Sequence, residues 1–270
     1  MGRIVGAFGT SHVLLNRTGC EEKADRVFAG MQEIGRRIDE LDPDLVVIVA
    51  NDHFINLDLA HEIPLAVPMQ EEYVPAGDMG LPPVTFKGFP EFSGGFVDYA
   101  NANGFDLAIL REYRACHGLA TPSFFCARPD GRRVVPIITN TLMDPPASPS
   151  RCYALGRRLA EYIEQVRPAD ERVVVVGTGG LSHWVGVEDQ GAINFDFDET
   201  VFRLFAEGRA EELSEYSREL IIEKAGNGGL EIINWLVMAG AVHGKKGHKV
   251  YYEAIPEWFT GMSGVEIEID

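Results

Sequence analysis

Leu45-Val46-Val47-Ile48-Val49-Ala50-Asn51-Asp52-His53 is the stretch that decides the fold class of this chain. Six apolar residues in a row, four of them β-branched, suit a strand buried on both faces, as in a parallel sheet enclosed by helices. A strand with one wet face would instead alternate apolar and polar positions. Upstream, Asp42-Pro43-Asp44 breaks a helical pattern over residues 21–41 whose apolar positions include Val27, Met31, Ile34 and Ile38. Similar apolar runs predict strands over 4–8, 63–67, 107–110, 134–139 and 173–177. Helical periodicity predicts helices over 91–103, 148–165, 196–206, 211–224 and 230–242. This alternation implies an α/β fold: a single domain over residues 1–270, with a central, mostly parallel sheet flanked by helices. Residues 68–90, dense in Pro and Gly, are expected to form a long loop that serves as a lid or wall of a pocket.

The 270 residues are 46% hydrophobic, enough for a large core, and 41 acidic against 24 basic side chains give a net charge of −17. That balance, with no basic stripe, excludes a nucleic-acid partner. Met1-Gly2-Arg3 runs straight into a short apolar segment, and no stretch reaches about 18 apolar residues, so neither export signal nor membrane span is read. Gly2 does not make a myristoylation site, because position six is Gly. Cys20, Cys116, Cys126 and Cys152 are scattered without a CxxC pair, which points to a reduced, cytoplasmic protein without a disulfide framework.

Three of the seven histidines share one kind of position. His12 follows the first strand in Gly9-Thr10-Ser11-His12, His53 follows the second, and His183 follows the 173–177 strand through Gly179-Gly180-Leu181-Ser182. Ligands of open α/β sheets gather beyond the carboxyl ends of parallel strands, so these side chains are expected to converge on one crevice. His117, in Cys116-His117-Gly118-Leu119, follows another strand candidate and is a possible fourth member. Two imidazoles and one carboxylate bind a divalent transition metal while leaving positions open for substrate and oxygen. The carboxylate candidate is Glu231, after Gly226-Asn227-Gly228-Gly229-Leu230. On local grounds alone, Glu231 reads first as an acidic residue stabilising a helix N-terminus. His61, His243 and His248 lie in polar or helix-end surroundings and take no role.

At these residues the chain resembles the class III extradiol dioxygenases, the superfamily of the protocatechuate 4,5-dioxygenase beta chain and 2,3-dihydroxyphenylpropionate 1,2-dioxygenase. The matching stretches are Ser11-His12, Asn51-Asp52-His53-Phe54, His117 to Pro122, Gly179 to His183, Glu231-Ile232-Ile233-Asn234-Trp235 and Tyr251 to Trp258. They occur in family order and cover nearly the whole chain. The resemblance implies that His12, His53 and Glu231 hold iron(II), Fe(II). It gives His183 the place of an acid–base group beside a substrate hydroxyl, and His117 that of a second, proton-donating histidine. It implies meta-cleavage of a catecholic ring, with or without a carboxylate substituent, by O2, in a homo-oligomer with or without a separate small alpha subunit. Two rivals share the fold: a metal-dependent hydrolase with zinc on the same ligands, and a non-catalytic companion subunit. Relatives of the second kind lose the metal ligands, whereas this chain keeps all three. Nothing in the sequence identifies the ring substituent; Arg17, Arg111, Arg114 and Lys87 are the cationic candidates for a substrate carboxylate.

Overall fold

The computed structural model describes residues 1–60, 62–127, 131–144 and 146–269, so His61 lies outside the described residues. In chain order the elements are β1 (Arg3–Thr10), α1 (Glu21–Leu41), β2 (Leu45–Asn51), β3 (Leu65–Pro68), β4 (Glu72–Tyr73), β5 (Phe86–Lys87), α2 (Pro90–Ala102), β6 (Ala108–Leu110) and α3 (His117–Cys126). There follow β7 (Arg133–Thr139), α4 (Pro149–Val166), β8 (Arg172–Thr178), α5 (Phe195–Glu207), α6 (Arg218–Ala225), α7 (Ile232–Ala241), β9 (Gly247–Ile255) and β10 (Thr260–Ile267). Eight strands form one sheet in the order β6-β3-β7-β2-β8-β1-β10-β9. The central four, β7, β2, β8 and β1, are mutually parallel. Antiparallel pairings of β3 with β7 and of β10 with β1 bring in the two flanks. The chain is thus a single α/β domain with a mostly parallel mixed sheet.

The β2 run explains its own composition. Leu45, Val47 and Val49 belong to a core shared with α2, α4, α5 and α7, while Val46, Ile48 and Ala50 face a second core under α1 and α3. Both faces are dry, so no position tolerates a polar side chain until the strand ends.

Three features depart from the sequence expectation. The helix expected over 211–224 is broken: a 3-10 turn, Ala210–Glu215, precedes α6, and the Ser217 hydroxyl caps α6 by accepting from Leu220 N–H at 3.1 Å. A C-terminal hairpin, β9 and β10, was not anticipated from the pattern. His117 opens a helix rather than standing in a strand-end loop. Residues 68–90 do form the expected excursion, stiffened by a β4–β5 ribbon.

Helix α7 approaches α4 backbone to backbone. A Cβ on Gly156 would sit 1.9 Å from the Val237 carbonyl oxygen, and one on Gly240 would sit 2.0 Å from the Tyr153 carbonyl oxygen. Helix propensity alone favours Gly156→Ala by about 1 kcal/mol. The clash is with backbone and has to force the helices apart, so overpacking dominates. We expect a net destabilisation of about 1–3 kcal/mol in urea unfolding. Equal or higher stability would show that α7 is not seated as described.

Candidate metal and active site

The carboxyl ends of the parallel strands deliver the site. His12 and His53 each stand two residues beyond a strand end, after β1 and β2. The chain leaving His53 is bent by Asp52, whose Oδ2 accepts the backbone N–H groups of Ile55, Asn56 and Leu57, each at 3.0 Å. Beyond β8, Gly179 adopts φ +128, and a Cβ there would lie 2.9 Å from Glu231 Oε2, so this turn requires glycine. Its neighbour Gly180 donates its N–H to Glu231 Oε2 at 3.0 Å.

Glu231 ends a 3-10 turn, Gly228–Glu231, that runs directly into α7, and it is buried. Asn234, one turn further on, fixes its position. The Asn234 amide donates to the Thr178 carbonyl at 2.9 Å and its oxygen accepts from Thr139 Oγ1, tying α7 to the ends of β8 and β7. Glu231 Oε1 then lies 3.5 Å from His12 Nε2 and 3.3 Å from His53 Nε2.

The hydrogen-bond network sets the tautomer of His12. Pro122 sits inside α3 and has no N–H to give the Gly118 carbonyl. That carbonyl accepts the Thr178 hydroxyl at 3.3 Å, and Thr178 Oγ1 is in turn 3.4 Å from His12 Nδ1, from which it accepts. Nε2 is left as a lone pair, buried and without a hydrogen-bond partner among the described residues. An orphaned imidazole nitrogen beside a second imidazole and a buried carboxylate fits a divalent transition metal, with the other ring nitrogen anchored as metal-binding histidines usually are. Burial alone would raise the Glu231 pKa, but the His12 and His53 imidazoles hold the carboxyl well below its ordinary range. Burial likewise opposes charge on His53, yet hydrogen bonds to Cys116 and Glu231 prevail and push its pKa up to about 10. Both shifts describe a buried negative group that a cation would neutralise.

A third imidazole stands close by. The His117 ring centroid is 3.9 Å from that of His53 and 5.3 Å from that of His12. One nitrogen from each of the three lies within 4.8 Å of the others. Distance therefore offers two ligand triads, His12–His53–Glu231 and His12–His53–His117. They differ chemically, because His117 Nδ1 is committed to Asp78 Oδ2 at 2.6 Å. Burial drives the His117 pKa down to about 4.

His183 packs on the turn that carries Glu231: a Cβ at Gly228 would fall 2.0 Å from His183 Cδ2. Its Nδ1–H donates to the Phe259 carbonyl at 2.6 Å, leaving Nε2 with a free lone pair, and burial lowers its pKa. The segment is clamped by Asp198, which accepts from Ser182 N–H at 2.8 Å, Ser182 Oγ at 2.9 Å and Tyr252 OH at 2.7 Å.

Residues 6–263 match the family described as the catalytic LigB subunit of aromatic ring-opening dioxygenase. This chain belongs to that family. Among curated relatives of this LigB-family chain is the 2,3-dihydroxyphenylpropionate/2,3-dihydroxicinnamic acid 1,2-dioxygenase of Photorhabdus laumondii, 24% identical with 96% of each chain covered. The gallate dioxygenase of Pseudomonas putida is 30% identical over 70% of this chain and 55% of its own length. An uncharacterized protein of Escherichia coli K12 has a crystal structure that matches 98% of this chain and 100% of its own, with a TM-score of 0.64 at 16% identity. That last likeness concerns the fold alone.

In this LigB-family oxygenase, the site brings together His12, His53, His117 and Glu231, with His183 against the same turn. His243 and His248 lie elsewhere, bonded to Tyr153 and paired with Glu266. Arg17 pairs with Asp25, Arg114 donates to the Ala76 carbonyl, and Arg111 and Lys87 are exposed. All four cysteines are free and buried. The sequence reading did not pick out Asp78, Cys116, Thr178, Asn234 or the Phe259 carbonyl.

Burial raises the Asp198 pKa to about 6, against 3.8 ordinarily. The native state then binds this proton more tightly than the unfolded chain. Its stabilising contribution is complete below about pH 3.8 and is lost as pH rises through about 6. Asp198→Asn mimics the protonated form, so its stability relative to wild type should improve between pH 5 and 7.5 in parallel urea titrations. A difference that stays flat with pH would rule out this assignment.

Proposed function

We propose that this enzyme is a non-haem iron(II) extradiol dioxygenase that opens a catecholic ring beside the diol, in the catabolism of aromatic compounds. The observation that carries the reading is the buried convergence of His12 Nε2, His53 Nε2 and Glu231 Oε1 at 3.3–3.5 Å, within a chain of the LigB family. Glu231 is preferred to His117 as the third ligand because it approaches both other donors closely and brings negative charge. That charge leaves the metal more electron-rich, as passing electron density to oxygen requires.

Iron(II) held there supplies Lewis acidity toward a chelated catechol hydroxyl and the redox partner for O2. His183 Nε2, unprotonated because Nδ1–H is spent on Phe259, takes the proton of a substrate hydroxyl. His117 Nε2 is the second proton-transfer atom, serving the later step in which a leaving oxygen must be protonated. Phe54, Met79 and Val185 are large apolar side chains left exposed within two residues of His53, Asp78 and His183, a setting suited to an aromatic ring. Residues 68–90, which bring Asp78 to His117, form the wall through which ring substituents are selected. The names of the relatives favour a catechol bearing a carboxylate, and the four free cysteines favour a reducing, cytoplasmic setting.

The test is anaerobic reconstitution with iron(II), then oxygen uptake against catechols with and without carboxylate substituents. Stoichiometric oxygen consumption with a yellow ring-opened product supports the reading. Activity that follows zinc content and consumes no oxygen would replace it with a hydrolase.

A further inference from the structure

Asp78 lies in the loop 68–90, yet both of its side-chain hydrogen bonds go to one residue of the active site. Its Oδ2 accepts the His117 backbone N–H at 2.9 Å and the His117 Nδ1–H at 2.6 Å. The first bond caps the opening turn of α3, where Cys116 provides no side-chain cap. The second is superfluous for a cap. Because one oxygen holds both groups, the ring cannot rotate about its own backbone without losing a bond. The other oxygen, Oδ1, is buried and has no hydrogen-bond partner among the described residues. The carboxylate is therefore largely withdrawn from water and committed to His117. The loop is moored alongside as well: Ala115 N–H donates to the Val74 carbonyl at 2.9 Å, and Ala76 N–H to the Ala115 carbonyl at 2.8 Å.

We propose that Asp78 is a positioning residue for the ring-opening reaction, fixing the Nδ1–H tautomer and the orientation of His117 so that Nε2 is the nitrogen available for proton transfer. The inference rests on the reading of His117 as a proton-transfer group. In that step Nε2, a lone pair in the resting ring, takes up the proton of the second substrate hydroxyl and then passes it to the leaving oxygen, while Nδ1–H stays with Asp78, so the ring ends neutral in the tautomer that Asp78 selects. The same bond couples the loop that walls the pocket to the chemistry inside it. Loss of loop order and loss of rate should therefore go together.

The experiment compares Asp78→Ala, His117→Ala and the double variant in iron-loaded protein, with iron content, kcat and KM measured for each. Asp78→Ala should keep its iron and lose kcat by about 10–100-fold, the usual worth of a partner that orients a functional histidine. The double variant should be no slower than His117→Ala alone. Asp78→Asn, whose oxygen can accept both bonds, should recover kcat to within about tenfold of wild type. In zinc-loaded protein, long-range proton–nitrogen spectra should show His117 protonated at Nδ1 in wild type and as mixed tautomers in Asp78→Ala. Wild-type kcat in Asp78→Ala, additive losses in the double variant, or an unchanged tautomer would each overturn the proposal. Failure of the underlying reading looks different: iron-loaded wild type that consumes no oxygen with any catechol, or His117→Ala at full rate. The tautomer spectra then still decide whether Asp78 sets the ring.

Discussion

Glu231→Gln should lose bound iron and, with it, ring-opening activity by at least about 10³-fold, since a metal contributes several kcal/mol to such a transition state. The exchange keeps the side-chain shape and an oxygen for Gly180 N–H, so the fold should persist and circular dichroism should be unchanged. His12→Ala and His53→Ala should lose iron equally. The rival triad of three imidazoles makes the opposite forecast: Glu231→Gln would hold iron while His117→Ala would release it. Metal content by elemental analysis of the four variants side by side separates the two. Stoichiometric iron in Glu231→Gln would remove the carboxylate from the ligand set.

His183→Ala should retain iron yet lose rate by roughly 10²–10⁴-fold, the range for a positioned proton-transfer group. Burial lowers the His183 pKa, so the imidazole is a neutral base across the working range. Activity of the wild type should fall on the acid side, with its midpoint below the ordinary histidine value of about 6.5, as the base becomes protonated. The variant should lose that limb. Iron loss in His183→Ala, or an unaltered acid limb, would take the proton role away from this residue.

The features legible in the sequence were those with periodicity or position behind them. The β2 run announces a doubly covered strand because both its faces are dry, and the apolar stripe of α1 gives its limits as Glu21–Leu41. His12, His53 and His183 were found because parallel topology puts strand ends together. Helix α3 escaped because it is buried on nearly every side, with Pro122 inside it, and therefore carries neither a stripe nor a propensity signal. The β9–β10 hairpin escaped for a related reason: β10 buries Thr260, Gly261, Ser263 and Gly264, small residues with no alternating pattern. Glu231 was locally ambiguous, since a carboxylate near a helix start looks the same whether it faces solvent or metal. Only the seating of α7 on the β7 and β8 ends, through Asn234, turns it toward His12 and His53. Asp78 and the Phe259 carbonyl could not have been read at all. One is 39 residues from its partner in a Pro/Gly-rich loop, and the other is a backbone atom with no side-chain signature.

If His12, His53 and Glu231 hold the iron that activates O2, both oxygen atoms of O2 enter the ring-opened product. Single-turnover reaction of the iron-loaded enzyme under ¹⁸O₂ tests it most directly, with the new carbonyl reduced by borohydride before it exchanges with water and the product weighed by mass spectrometry. Wild type should give two labelled oxygens per product molecule, and Glu231→Gln no product. An unlabelled product, its new oxygens drawn from water, or product formed at full rate by Glu231→Gln, would be the opposite result.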